Sequence, residues 1–290
     1  MINPYISLVI GILCISIFPV LIKWAPVSGI TSAFYRMFIA LILLLPYMIF
    51  TKKLKSIPKD LRFKVIICGI LFGTDIAIWN LSIQYSNATQ ATLLTNLSPI
   101  WVGIGSFIFL ASKPNKQFWM GTLVALFGMM YLIGFDRIQN MEFNLGFGLA
   151  VLSGILYACY MIVSKDVLQK LDILSFLTFS IMVSSIYLLV ICLTFQQPLW
   201  GFEPTIWGIL AVQGIICQLM GWIAISFATQ KLDTQQVSLS LLSQALVTAL
   251  LAWMFIDEKI TAQIVIGGLI ILLGISITFI QSKKSKPLEL

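Results

Sequence analysis

Two charged residues stand where the rest of the chain is apolar. Asp75 lies in GTDIAIWN, inside the longer run FKVIICGILFGTDIAIWNLSIQY, and Arg36 follows Tyr35 in ITSAFYRMFIALILLL. A carboxylate in such surroundings can take up a proton or bind an amine, and a guanidinium beside it can neutralise it or bind an anion. Around these two, polar and aromatic side chains recur at steps of three and four, the spacing that keeps residues on one helix face. Asp75, Trp79, Ser82 and Ser86 share one such face, and Thr89, Thr92, Thr95, Asn96 and Pro99 share another. Gln236, Ser240, Ser243, Gln244 and Thr248 form a third. Tyr157, Tyr160 and Ser164 form a fourth, and Gln218, Trp222 and Ser226 a fifth. A single serine or threonine in an apolar helix usually bonds its own backbone. Several polar faces together read as the wall of a water-accessible cavity.

The elements that carry these faces are apolar and long. Of 290 residues, 59% are hydrophobic and 10% charged, against roughly 25% charged in soluble domains. Mean hydropathy is +1.00. About 20 apolar residues cross ~30 Å of hydrocarbon, and ten such stretches can be read: 4–23, 30–50, 63–84, 87–111, 117–135, 145–164, 173–195, 205–229, 234–256 and 260–281. The expected fold is an all-α membrane protein of ten spans, with no room for a soluble domain. The first stretch lacks the basic start and small-residue cleavage site of a signal peptide and is expected to be retained.

Composition excludes several chemistries. There is no histidine, which removes histidine metal sites, Ser-His triads and histidine proton relays. Cys14, Cys68, Cys159, Cys192 and Cys217 fall inside spans without a CxxC pair and read as small hydrophobes. No metal cluster or phosphate-binding loop is legible, so neither a cofactor nor an enzyme activity is expected. The net charge of +7 does not indicate nucleic acid, because the basic residues follow a membrane pattern. With the N-terminus cytoplasmic, 14 Lys and Arg fall in inner segments, among them Lys52, Lys53, Lys55, Lys59, Arg62 and Lys64. Lys23, Arg137 and Lys259 fall outside. Such a bias sets orientation, and both termini are expected inside a cell membrane.

The chain also repeats itself. Residues 89–110, TQATLLTNLSPIWVGIGSFIFL, align with 234–255, TQQVSLSLLSQALVTALLAWMF, at an offset of 145. Thr89-Gln90 meets Thr234-Gln235, Leu94 meets Leu239, Ser98 meets Ser243 and Val102 meets Val247. With one residue added in the following loop, Gly121 and Gly128 fall on Gly267 and Gly274; Gly69 falls on Gly214 and Lys23 near Lys165. An odd number of spans per copy inverts the second, giving halves at 1–140 and 141–290. Inverted repeats place a substrate site near the midplane between the halves. The charged pair breaks the symmetry, since Phe179 stands in the place of Arg36 and Met220 in that of Asp75.

Ten spans in two five-span repeats, with Tyr35-Arg36 early in span two, a lysine closing span one and NLSPIW in span four, resemble the drug/metabolite transporter superfamily of the EamA type. The resemblance covers the whole chain and implies export or exchange of small metabolites such as amino acids.

A charge at mid-bilayer costs at least ~2.5–3.5 kcal/mol on insertion scales and so usually faces a cavity or a partner. At 1.5 Å per residue, Arg36 and Asp75 lie about 9 and 13 Å below the same surface, close enough to meet. They are expected to form a helix-joining ion pair, a site where Asp75 takes a proton or substrate amine, or both. The small residues Gly69, Gly73 and Ala77 form a ridge for close helix contact, and Pro99 frees carbonyls in mid-span. The candidate site is Asp75, Arg36, Trp79, Asn96, Tyr157, Trp222 and Gln244, with Pro99 as a hinge and Leu94 pointing away. Aromatic residues with few fixed charges suit a zwitterionic or neutral small molecule, with protons as the coupling ion. A nucleotide-sugar antiporter is the alternative and would call for more cavity cations. A channel would show a polar ring repeated in an oligomer.

The orientation is directly testable. In a cysteine-free background, Ser56→Cys should resist an impermeant thiol reagent in intact cells and Asn140→Cys should react. Labelling of Ser56→Cys from outside would contradict the topology.

Overall fold

The computed structural model describes residues 3–24, 27–85, 88–139, 141, 143–257 and 259–279. Ser86, Asn140 and the lysines beyond residue 279 lie outside the described residues, as do the side chains of Lys23, Thr89 and Arg137. All regular secondary structure among the described residues is helical. Ten stretches are long and apolar enough to cross a membrane: Pro4–Ile22, Gly29–Phe50, Lys59–Ser82, Gln90–Phe109, Lys116–Ile133, Leu145–Leu168, Ile173–Thr194, Pro204–Lys231, Thr234–Phe255 and Ala262–Phe279. These are spans one to ten. Span three starts earlier than hydropathy suggests, because its charged first turn from Lys59 is helical, with Asp60 at the favourable N-terminal end of the dipole.

Four spans are interrupted, each for a local reason. Span one breaks at Ile17, between helices Pro4–Ser16 and Phe18–Trp24. Pro19 has no N–H to give, and the N–H groups of Val20 and Leu21 both turn to Ile17 O, at 3.1 Å each. Span four breaks at Asn96 and Leu97, because Pro99 cannot donate to Thr95 O and Leu97 N–H turns back to Leu94 O at 3.2 Å. Span nine tightens into a 3₁₀ turn at Leu241–Ser243 without a proline. There the Ser240 hydroxyl donates to Gln236 O at 2.8 Å and that of Ser243 to Ser240 O at 2.7 Å, a back-bonding that bends helices. At the offset of 145 this turn falls on residues 96–98, the break of span four. Span eight widens into a π-helix over Gln213–Met220.

Helix pairing follows a regular scheme. Span three packs along span six, two along seven, three along seven, four along six, four along nine, and five along ten. Adding five to each number, cyclically, gives contacts that are also present: eight with one, eight with two, and nine with one. Spans five and ten interlock through glycines. A Cβ on Gly121 would lie 2.5 Å from Gly274 O, and one on Gly128 would lie 2.8 Å from Gly267 O. The early glycine of each helix meets the late glycine of the other, so the two helices run antiparallel at backbone contact. The ridge of span three behaves as its sequence implies. Gly69 abuts Ser180 and Val183 of span seven, Gly73 abuts Tyr187, and Ala77 is buried.

Each end of the bundle carries polar ties. At the lysine-rich end, Asp166 of span six pairs with Lys64 of span three, and also with Lys170 at 3.1 Å. Lys165 Nζ donates to the carbonyls of Thr229 at 2.8 Å, Leu232 at 2.7 Å and Gln230 at 3.3 Å. It thereby caps the C-terminal, partially negative end of span eight. At the opposite end, Thr31 Oγ1 donates to Pro198 O at 3.0 Å and the Tyr35 hydroxyl to Leu199 O. The Tyr35 ring meets Trp207 edge-on at 5.0 Å. The scaffold thus fixes both ends and leaves its irregular backbone in between.

Candidate functional site

Asp75 is 7% exposed and Arg36 8%, but they are not a contact pair. No Lys or Arg nitrogen among the described residues lies within 4 Å of the Asp75 carboxylate. The ion pair that their similar depth suggests is therefore replaced by two separate arrangements. The Ser153 hydroxyl, on span six, donates to Asp75 Oδ1 at 2.5 Å. Arg36 Nε donates to Gln218 Oε1 in the π-helical segment at 2.8 Å, and its guanidinium lies over the Phe18 ring at 4.6 Å. The two charges remain close enough to act on each other through space. Each is met by neutral groups, so neither has cancelled the other.

An aromatic group surrounds the Asp75 side. Phe72, one turn before Asp75, stacks on Tyr160 at 4.8 Å and meets Trp222 edge-on at 4.5 Å. Tyr157 lies 6.5 Å from Trp222 and is near enough for the Asp75 charge to act on its phenol. Four rings from spans three, six and eight thus cluster together, with Phe72 one turn from Asp75 and Tyr157 one turn from Ser153 along their helices. The Trp222 Nε1–H is buried without an acceptor, so this group holds an unspent donor as well as a carboxylate.

The other candidate residues take different places. Trp79 packs with Phe18, Leu21 and Cys217, on the Arg36 side. Asn96 and Pro99 mark the break in span four, which leans on span six: a Cβ on Gly154 would sit 3.1 Å from Thr95 O, and Thr95 Oγ1 lies 3.4 Å from Ala150 O. Gln244 begins the last segment of span nine, where Ser16 Oγ approaches its carbonyl at 3.5 Å and Thr248 Oγ1 donates to Ser16 O at 3.0 Å. The carbonyl left without a helical partner by the break in span one is thereby satisfied. Asp75, Tyr157 and Trp222 are brought together, with Arg36 and Trp79 alongside; Asn96, Pro99 and Gln244 mark the interrupted backbone.

Many of the polar faces turn out to be self-satisfied. Ser82 donates to Trp79 O at 2.7 Å and Ser164 to Met161 O at 3.1 Å, and Ser240 and Ser243 behave likewise. Four residues in the arrangement are not evident from the sequence faces: Ser153, Gln213, Ser32 and Phe18. Ser153 precedes Tyr157 by four and could have been found by extending that face. Gln213 and Gln218 are five apart, a spacing that α-helical periodicity separates. Where spans one and eight cross, Gly11 packs on Ile225 and on the Gly221 carbonyl, and the Ser7 hydroxyl donates to Ala224 O at 2.9 Å.

Leu94, expected on the side of span four opposite its polar face, packs with Ala91 and Ala150 and is 6% exposed. Leu94→Ala should lower unfolding free energy in detergent by about 2–4 kcal/mol, the cost of a core truncation. Asn96→Ala and Gln244→Ala, at half-buried positions, should leave the unfolding midpoint nearly unchanged and reduce transport. Equal loss of stability at all three would assign Asn96 and Gln244 to packing.

Known proteins show the same architecture. The description of the EamA-like transporter family matches residues 3–134 and again 144–280. An uncharacterized transporter of Archaeoglobus fulgidus is 24% identical over 252 residues, 85% of this chain and 86% of that one. The uncharacterized transporter YoaV of Bacillus subtilis is 25% identical, with 83% of each chain covered. A protein of Rickettsia prowazekii named an S-adenosylmethionine uptake transporter is 22% identical over 87% of this chain and 83% of its own. A solved crystal structure superposes with a TM-score of 0.83 at 14% identity, covering 98% of this chain and 99% of its own, a likeness of fold. With the family description matching both halves of a ten-helix bundle, the chain belongs to the EamA-like transporter family and is a multi-pass membrane transporter.

Proposed function

We propose that this transporter moves a small polar or amphipathic, amino-acid-like metabolite across the cell membrane by alternating access, in export or exchange, with protons as the coupling ion. The observation that carries the reading is the buried Asp75 carboxylate, which accepts a hydrogen bond from the Ser153 hydroxyl one turn from a cluster of Phe72, Tyr157, Tyr160 and Trp222. A carboxylate so placed can bind a proton or an amine, and the rings offer faces that attract a cation. The substrate would sit between halves 1–140 and 141–290, related by inversion. The cyclic pairing of spans and the antiparallel glycine contact of spans five and ten support that relation. Both termini would be cytoplasmic. The relative named for S-adenosylmethionine uptake is compatible with a small-metabolite cargo.

Alternating access requires ties at the two ends that part in turn. The Lys64–Asp166 pair and the Lys165 cap would close the cytoplasmic end, and the Thr31 and Tyr35 bonds to residues 198–199 the outer end. The breaks at Ile17, Asn96-Leu97 and Leu241–Ser243 would let half-spans tilt without unravelling. In this reading Pro99 is the hinge of span four.

Proteoliposomes loaded with a labelled mixture of the common amino acids test the role of Asp75. Asp75→Asn should abolish flux driven by a pH gradient and leave part of the exchange flux. If Asp75 served only to balance Arg36, the single change would strand a buried cation and the double change with Arg36→Gln would restore transport. Full recovery of pH-driven flux in the double variant would contradict proton carriage by Asp75.

A further inference from the structure

The π-helical turn of span eight does something an α-helix could not. On an α-helix of 3.6 residues per turn, residues five apart point ~140° away from each other. Where hydrogen bonds run from i to i+5, residues five apart come onto nearly one face. Gln213 and Gln218 are five apart in the π segment Gln213–Met220, and both face span two. Their partners there are Ser32 and Arg36, four apart on a regular α-helix. Ser32 Oγ donates to Gln213 Oε1 at 2.7 Å, and Arg36 Nε to Gln218 Oε1 at 2.8 Å. One π turn is thus matched against one α turn.

The consequence is an excess of donors. Arg has no acceptor atom, so Gln218 must present its oxygen to Nε. Neither Nη group of Arg36 has an acceptor among the described residues, although the side chain is more than nine-tenths buried. The Gln213 Nε2 amide is buried without a partner. One guanidinium face is covered by Phe18. A planar cation fixed at Nε and on one face, with its outer fork unspent, suits a planar oxyanion that takes two parallel hydrogen bonds. Asp75, whose charge reaches Arg36 through space, disfavours a dianion there. A single carboxylate fits.

We infer that Arg36 is the subsite for a carboxylate group of the substrate and that Gln218 is the positioning residue that aims it. This rests on the transporter reading above and assigns the substrate class as monocarboxylates, with Asp75 left to the cationic end. Removing Gln218 would leave the Arg36 fork unaimed and spoil the carboxylate end, while Asp75 keeps its bond from Ser153.

The test uses full-length purified protein and matched probes: phenylacetate against phenylacetamide, and L-phenylalanine against phenethylamine, each followed by thermal shift and by counterflow in proteoliposomes. The acids should stabilise the wild-type protein and the uncharged amide should not. Gln218→Glu, which pairs with Arg36, should weaken acid binding by about tenfold or more while the response to phenethylamine persists. Gln218→Met, nearly the same size, should weaken acids in the same direction if the glutamate variant fails to fold. A merely structural role would lower the responses to both acids and to phenethylamine together. Equal response to phenylacetate and its amide, no response to either acid at millimolar concentration, or unchanged acid selectivity in the folded Gln218 variant would overturn the inference. Continued phenethylamine flux in those cases would leave the transporter reading standing.

Discussion

A charge inside an apolar bundle must be held by something, and here each of two charges is held by a neutral group rather than by the other. Asp75 takes a hydroxyl from Ser153, and Arg36 gives its Nε to Gln218 and one face to Phe18. Had they met, the pair would have been satisfied internally and costly to open. Held apart, each charge keeps its own neutral partners. The rest of the bundle serves this separation. Span six carries Ser153 because Gly154 lets it lie against the broken backbone of span four, and span eight carries Gln218 because its π turn rotates that residue toward span two.

The same constraint explains where the backbone is irregular. Spans five and ten, locked by glycines at backbone contact, are unbroken, whereas spans one, four, eight and nine are interrupted near the polar centre. Non-helical backbone at membrane depth is tolerated where protein groups satisfy it, and the Thr248 bond to Ser16 O is one such case. Two of the breaks have prolines and two do not. The breaks of spans four and nine correspond at the offset of 145, a proline in the one standing against back-bonded serines in the other.

Much of this was legible in the sequence. Ten apolar stretches gave the spans and Pro99 marked the break of span four, whereas the tightened turn of span nine, which has no proline, carries no such mark. Gly121, Gly128, Gly267 and Gly274 were paired as equivalents, and the structure sets them in contact across an antiparallel crossing. The site was less legible. Depth alone put Arg36 beside Asp75, but helix rotation and the choice of hydrogen-bond partner are not encoded in depth. Leu94 lies opposite a polar face yet is buried, because span four is covered on that side by span six. The Gln213–Gln218 spacing has no meaning under α-helical periodicity and acquires one only where the helix widens.

The central claim is that Asp75 and Arg36 are held by Ser153 and Gln218 rather than by each other. Double-mutant cycles on unfolding free energy in detergent measure it directly, using Asp75→Asn, Ser153→Ala, Arg36→Gln and Gln218→Met. The Asp75–Ser153 and Arg36–Gln218 cycles should each show coupling of about 1.5–3 kcal/mol, the range for hydrogen bonds to charged groups. The Asp75–Arg36 coupling should be smaller than either. A largest coupling between Asp75 and Arg36 would mean that the two charges are in contact, and would contradict the account.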